Sequence, residues 1–363
     1  MIRVCEPSLS ELEKKYLREA LDRNWLSSIA PPVAQFEEAF AHRFGARHAI
    51  AVNSGGSALF LSLWTLGARA GDEVIVPTFT MVATAGAVTQ CGATPVFVEC
   101  ERETGNIDVS RIEAKITPRT RGILPVHIYG HPCDMDPILE LARNYGLFVV
   151  EDAAESHGAL YKGRPVGALG NAGCFSFYAN KLMTTGEGGM VVTSDDKLAT
   201  ALRHCRAYDF DDTRHFWHKR LAWNLRMSAL EAAVGRAQLE RLDELVAARR
   251  RNDRCYRERL GDLAEFLQEK EYATPVSWMC GILVRDVEER DGLMAFLAKR
   301  EIETRTFFLP MHQQPIYKSP ESFPVAEDLA RRGLYLPSSS HLREDELEIV
   351  VRALRDYLEP RRR

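Results

Sequence analysis

The sequence lacks the features that would tie a chain to a membrane, a nucleic acid or an oxidising compartment. No apolar run approaches the roughly 20 residues of a membrane span, and Met1-Ile2-Arg3-Val4-Cys5-Glu6 does not read as a basic, apolar export leader. The net charge of −4 over 363 residues gives no general attraction to phosphate backbones or anionic lipid. The eight cysteines are scattered with no CxxC pair, which excludes a zinc framework and a compact disulfide scaffold. Reduced thiols in a cytoplasmic protein are the expectation. There are no internal repeats and no low-complexity tract. Lysine is scarce: of 47 basic residues only 10 are Lys. A lysine inside a small-residue loop therefore stands out.

What is present is an apolar fraction of 45%, enough for a large core, and a length that suggests two domains. From about 47 to 194, short apolar runs alternate with helical patterns. Strands are expected at Ala49–Val52, Glu73–Val76, Thr94–Val98, Arg121–His127 (with an internal proline), Gly146–Val150, Cys174–Phe177 and Gly189–Thr193. Helices are expected at Ala58–Leu66, Val82–Thr89 and Asp136–Tyr145. This alternation predicts an α/β fold, a mostly parallel sheet with helices on both faces. From Ser228 the pattern Ser-x-x-Glu predicts a capping box, followed by one long helix of about eight turns that leaves the large domain. Beyond it, Cys280–Val284 and helices near 288–300 and 344–358 suit a smaller α+β domain, with Arg361-Arg362-Arg363 as a solvated end. The expected division is 1–245, with an N-terminal arm, and 246–363.

Three strand ends are chemically loaded, and such sheets present functional groups there. Ser54-Gly55-Gly56-Ser57 joins a strand to a helix; small residues and free N–H groups at a helix start suit a phosphate. Taken alone it is equally a capped tight turn. Val149-Val150-Glu151-Asp152-Ala153-Ala154 sets a carboxylate at the end of a buried strand. Such a group needs a cation or strong donor, for which a protonated pyridine nitrogen would serve, or it simply caps the next helix. Phe175-Ser176-Phe177-Tyr178-Ala179-Asn180-Lys181 places a lysine between aromatics and the glycine-rich turn Gly186-Glu187-Gly188-Gly189. Partial desolvation would make that amine a carbonyl-binding nucleophile; a surface lysine is the plain alternative. In this order the three fit pyridoxal phosphate.

These segments, with Gly71–Pro77, Pro125–Gly130, Glu151–Glu155 and Asn224-Leu225-Arg226-Met227, resemble the DegT/DnrJ/EryC1/StrS family of nucleotide-sugar aminotransferases nearly end to end. The resemblance implies an aspartate-aminotransferase-like type I fold and transfer of an amino group from L-glutamate or glutamine to a nucleotide-linked keto-deoxysugar, at C4 of the sugar. It implies that Lys181 is the Schiff-base lysine and proton shuttle and that Asp152 pairs with the pyridine nitrogen. Glu155 stands where a residue, often Gln, contacts the ring hydroxyl. Gly56, Ser57 and Ser176 match phosphate contacts. Asn224 matches an Asn that reaches the neighbouring subunit's cofactor, so a homodimer with its site at the interface is implied. Glu187, Arg226 and His312 are expected on the substrate side.

Two departures carry expectations of their own. Gly55-Gly56 replaces the usual Gly-Thr, removing one hydroxyl at the phosphate. Met81 stands where an aromatic ring commonly stacks on the cofactor, so weaker cofactor retention is expected. Lys181 argues against the family branch that carries histidine there and dehydrates its sugar. A keto-cyclitol or keto-deoxyoctulosonate substrate, or a non-catalytic regulator on the same scaffold, are the alternatives.

Overall fold

A computed structural model describes residues 1–210, 214 and 216–362. Two helices, α1 (Glu11–Asp22) and α2 (Pro31–Arg43), precede β1 (His48–Val52), α3 (Gly55–Thr65), β2 (Glu73–Pro77), α4 (Val82–Gln90) and β3 (Thr94–Val98). There follow β4 (Thr120–Ile123), α5 (Met135–Tyr145), β5 (Phe148–Asp152), the short β6 (Leu160–Tyr161) and β7 (Arg164–Pro165), β8 (Ala172–Ser176), β9 (Gly189–Thr193) and α6 (Asp196–Arg206). The seven-stranded sheet has the order β1-β9-β8-β5-β4-β2-β3. Its strands run parallel except β9, which is antiparallel to both β1 and β8. Strands β2, β8 and β9 are buried along their whole length, as continuous apolar runs covered on both faces must be.

The β4 strand is shorter than the sequence suggests. It stops at Ile123, because Pro125 cannot donate to a central ladder. The chain instead holds β5 through Asp152 N–H to Pro125 O at 2.9 Å and His127 N–H to Asp152 O at 3.1 Å. The two N-terminal helices pack on α7 (Ala229–Glu240). Phe36 and Phe40 of α2 and Phe44 just after it stack into Phe175 and Phe177 behind β8, with ring centroids 4.3 Å apart for Phe40–Phe44 and 5.0 Å for Phe40–Phe175.

The capping box forms at Ser228–Glu231, but the expected single helix is two. It breaks at Arg241 (φ −96°, ψ 2°) between α7 and α8 (Leu242–Leu260). Arg241 is held there by the N-terminal arm, its Nη1 donating to Glu13 Oε1 at 2.8 Å and to Ser8 O at 3.1 Å. Leu242 and Leu245 of α8 belong to the large core, and Tyr256 and Leu260 to a second one.

After β10 (Ala273–Thr274), which pairs with β6, come β11 (Gly281–Leu283), α9 (Val287–Ala298), β12 (Arg305–Thr306), α10 (Pro324–Arg332), β13 (Gly333–Tyr335) and α11 (Glu344–Arg362). The second core fills the space between α8, α9, α11 and the antiparallel sheet β11-β13-β12. The expected solvated tail is a helix end: Arg362 donates to both oxygens of buried Glu289 at 2.6 and 2.9 Å. Arg363 lies outside the described residues. Among the described residues no helix is long and apolar enough to cross a membrane, and the eight cysteines are unpaired.

Candidate functional site

The carboxyl ends of β1, β2, β5 and β8 open on one cavity of about 280 Å³, and the turn that enters β9 closes it. After β1 the chain turns at Ser54, the N-cap of α3. Its hydroxyl accepts the Ser57 N–H at 3.0 Å, which fixes the helix start and leaves neighbouring backbone N–H groups facing the cavity mouth. Glycine is required at 55: a Cβ there would lie 2.6 Å from the Ser176 Cβ. At Gly56 a Cβ would meet only Ser54 Oγ, at 3.9 Å, so nothing in the backbone packing demands glycine. This side-chain-free helix start beside Ser176 is a cradle shaped for a phosphate.

Asp152 ends β5 and is buried. Its Oδ2 accepts from the Thr84 hydroxyl at 2.8 Å and its Oδ1 from the Ala154 N–H at 3.2 Å. Burial pushes its pKa above the usual carboxylate range, opposed by the Thr84 and Ala154 hydrogen bonds and by the charge of Lys181. Thr84 lies in the first turn of α4, and its hydroxyl also meets that of Thr80 at 3.0 Å.

Lys181 follows the turn after β8 and is 12% exposed at its side chain. Its Nζ lies 3.6 Å from Glu155 Oε1 and 4.1 Å from the centroid of the Trp278 ring. Glu155 Oε2 accepts the Tyr129 N–H at 2.9 Å. Burial raises the Glu155 pKa to about 7, against the lowering influence of Lys181. Under this layer His157 packs between Phe175 and Phe177, with burial holding its pKa down at about 3.

Of the residues singled out in the sequence, Gly56, Met81, Asp152, Glu155, Ser176, Lys181 and Glu187 line this one cavity. Ser57 lies one residue deeper in α3, bonded to Ser54. Met81 is 48% exposed, and its sulfur accepts the Ala83 N–H at 3.0 Å at the start of α4. Asn224 and Arg226 are outside the lining. They form a pair with each other, Arg226 Nε donating to Asn224 Oδ1 at 2.8 Å, on a segment bridged to the end of β1. His312 is also outside. It is buried between Thr78 Oγ1 at 2.8 Å and Glu327 Oε1 at 3.2 Å. Sequence reasoning missed Thr84, Trp278 and Phe308. Thr80-x-x-x-Thr84 is a one-turn helical spacing that pointed to a paired face; the two aromatics come from the C-terminal part with no motif around them.

The residues fit pyridoxal phosphate. A buried carboxylate already held by two donors suits a protonated ring nitrogen. Lys181, the only lysine among the described residues that line the cavity, can take an aldehyde, and the glycine cradle admits a phosphate.

Comparison with known proteins gives the same picture. Residues 7–355 match the model of the DegT/DnrJ/EryC1/StrS aminotransferase family. The chain is 42% identical over 357 residues to the GDP-perosamine synthase of Escherichia coli O157:H7, covering 98% of each chain. It is 43% identical over 364 residues to the GDP-perosamine synthase of Caulobacter vibrioides, again covering 98% of each. The crystal structure of S. venezuelae DesV in complex with a ketimine intermediate superposes with a TM-score of 0.91 at 38% identity, covering 96% of this chain and 94% of that one.

Proposed function

The chain belongs to the DegT/DnrJ/EryC1/StrS aminotransferase family, and from that premise we propose that it aminates carbon 4 of a GDP-linked keto-deoxysugar, taking the amino group from L-glutamate. It is a pyridoxal-phosphate-dependent aminotransferase of the type I fold, with nucleotide-linked keto sugars as its substrate class. The observation that carries the reading is the convergence of Lys181, Asp152 and the Ser54–Gly56 cradle on one cavity.

When bound, pyridoxal phosphate supplies an aldehyde that takes an amine covalently and a protonated ring that draws electrons from the adjacent carbon. Asp152, fixed by Thr84 and Ala154, would hold the proton on the ring nitrogen. Gly56 through its backbone N–H, and Ser57 and Ser176 through their hydroxyls, would hold the phosphate at the α3 N-terminus. Glu155 would hydrogen-bond the ring hydroxyl. Lys181 Nζ would hold the aldehyde. When free it takes the proton from the donor Cα and, in the second half of the exchange, delivers one to the sugar carbon that receives the amine, a general acid–base role. Glu187, which lines the cavity, is assigned to the substrate together with Arg226 and His312, which lie outside the lining.

The reading extends to a homodimer in which Asn224 reaches the phosphate bound by the neighbouring subunit. Its support is that Asn224 is exposed, outside the cavity of its own chain, on a segment tied to the end of β1. The test is a panel of GDP-, dTDP- and UDP-linked keto sugars with L-glutamate or L-glutamine, read as amino sugar by mass spectrometry. The GDP-linked 4-keto sugar with L-glutamate is the expected pair. Turnover confined to a keto-cyclitol, or turnover retained by Lys181→Ala, refutes it.

A further inference from the structure

Trp278 enters the cavity from the segment before β11, 98 residues along the chain from Asn180. It makes two separate contacts to the same functional group. The face of its indole lies 4.1 Å from Lys181 Nζ, and its Nε1–H donates to Asn180 O at 2.8 Å, the carbonyl of the peptide that carries Lys181. A cation is attracted to an indole face, so the ring gives the amine a seat. The hydrogen bond fixes the backbone from which the lysine side chain springs.

The indole is itself fixed. Trp278 is buried, its backbone N–H donates to Tyr129 O at 3.0 Å, and its carbonyl accepts from Arg249 Nη1 at 2.9 Å. Arg249 is fully buried and donates also to Ser340 Oγ at 3.1 Å and to Cys5 Sγ at 3.0 Å. Cys5 Sγ in turn donates to the same Asn180 carbonyl at 3.1 Å. The titratable groups facing the amine from the other side are Glu155 at 3.6 Å, Asp152 and the uncharged His157. Two acids and one aromatic face therefore bracket one base.

We propose that Trp278 is a positioning residue for Lys181: its ring face holds the protonated free amine, and its N–H sets the peptide that aims it. The inference rests on the aminotransferase reading for the consequence to turnover, but its first test does not need turnover. In full-length protein from which cofactor has been removed, the rate of Lys181 acetylation by acetic anhydride at one fixed pH is measured by peptide mass spectrometry. Trp278→Leu, which uncovers the amine, is expected to raise that rate about threefold or more, and Trp278→Phe, which keeps a ring face over it, by less.

In the holoenzyme Trp278→Leu is expected to lower kcat about tenfold or more while KM for the amino donor moves less than about threefold, because aim and proton transfer are lost and binding is not. Trp278→Phe, lacking the N–H, recovers the wild-type acetylation rate better than it recovers kcat. If Trp278→Leu does not fold, Trp278→Phe decides alone, through a kcat loss without a comparable change in acetylation rate. An acetylation rate that stays or falls in a folded leucine variant overturns the proposal, as does wild-type kcat in both variants. If the wild type aminates no keto sugar, the substrate reading fails, and the acetylation rates still decide the role of Trp278.

Discussion

The fold resists the ionisation of Glu155, and its replacement by glutamine gives the sharpest check on the electrostatics of the site. With the cofactor removed, burial raises its pKa from 4.5 to about 7. The folded value lies above the unfolded one, so the protonated acid stabilises the fold fully below about pH 4.5, and that contribution is lost as pH rises through 7. At pH 8 the carboxylate is ionised in both states, and the shift corresponds to about 3 kcal/mol against the fold, at ~1.36 kcal/mol per unit. At pH 5 the penalty is only about 1 kcal/mol by the same linkage. Glu155→Gln removes the charge while leaving an acceptor for the Tyr129 N–H. It should therefore stabilise the cofactor-free protein by about 3 kcal/mol at pH 8 and by about 1 kcal/mol at pH 5. Taking about 2.1 cal/mol/K of unfolding entropy per residue, a chain of this size gains about 4 °C in Tm at pH 8 and about 1 °C at pH 5. Thermal melts of both proteins at the two pH values read this directly. An increment equal at both pH values, or a glutamine variant less stable than wild type at pH 8, refutes the reasoning. Either result would mean that the Lys181 ammonium at 3.6 Å outweighs the burial of the acid.

Cofactor retention should respond to three further changes, each measured as a dissociation constant by equilibrium dialysis. Met81→Tyr supplies a flat face where a half-exposed thioether now sits and should tighten binding about two- to tenfold; no gain would remove the stacking account. Gly56→Thr adds a hydroxyl where a Cβ meets only Ser54 Oγ, at 3.9 Å, and should tighten binding about tenfold through a charge-assisted bond to phosphate. An unchanged constant there would show that backbone amides already saturate the phosphate. Thr84→Val keeps the side-chain shape but removes the hydroxyl 2.8 Å from Asp152 Oδ2; retention should weaken about tenfold or more, and equal retention would show that Ala154 N–H alone fixes the carboxylate.

The seven-stranded sheet is legible in the sequence because its strands are short buried runs between glycine, proline and acidic punctuation. Strands β3 and β9 coincide with the sequence reading residue for residue. The expected N-terminal arm contains two helices, whose starts Ser10-x-x-Glu13 and Pro31-Pro32 mark. The strands of the smaller sheets are two or three residues long, too short to show a period. The break at Arg241 depends on Glu13 and Ser8, more than 220 residues away, and no local pattern reports such a contact.

The same division of information runs through the site. Asp152, Lys181 and the glycine cradle lie at strand ends, and a strand end leaves a local trace: an apolar run, then a polar residue, then small residues. The groups that tune them leave none, because each acts across the fold. Thr84 reaches Asp152 from a helix 68 residues earlier, and Trp278 reaches Lys181 from beyond α8. Chemistry-bearing residues are thus written in short motifs, whereas the proton affinities that make them useful are set by long-range packing. Two chains with identical motifs can therefore differ in cofactor retention and pH response through residues such as Trp278, Thr84 and Met81, and comparing the chemistry of relatives requires the packing around the lysine as well as the lysine.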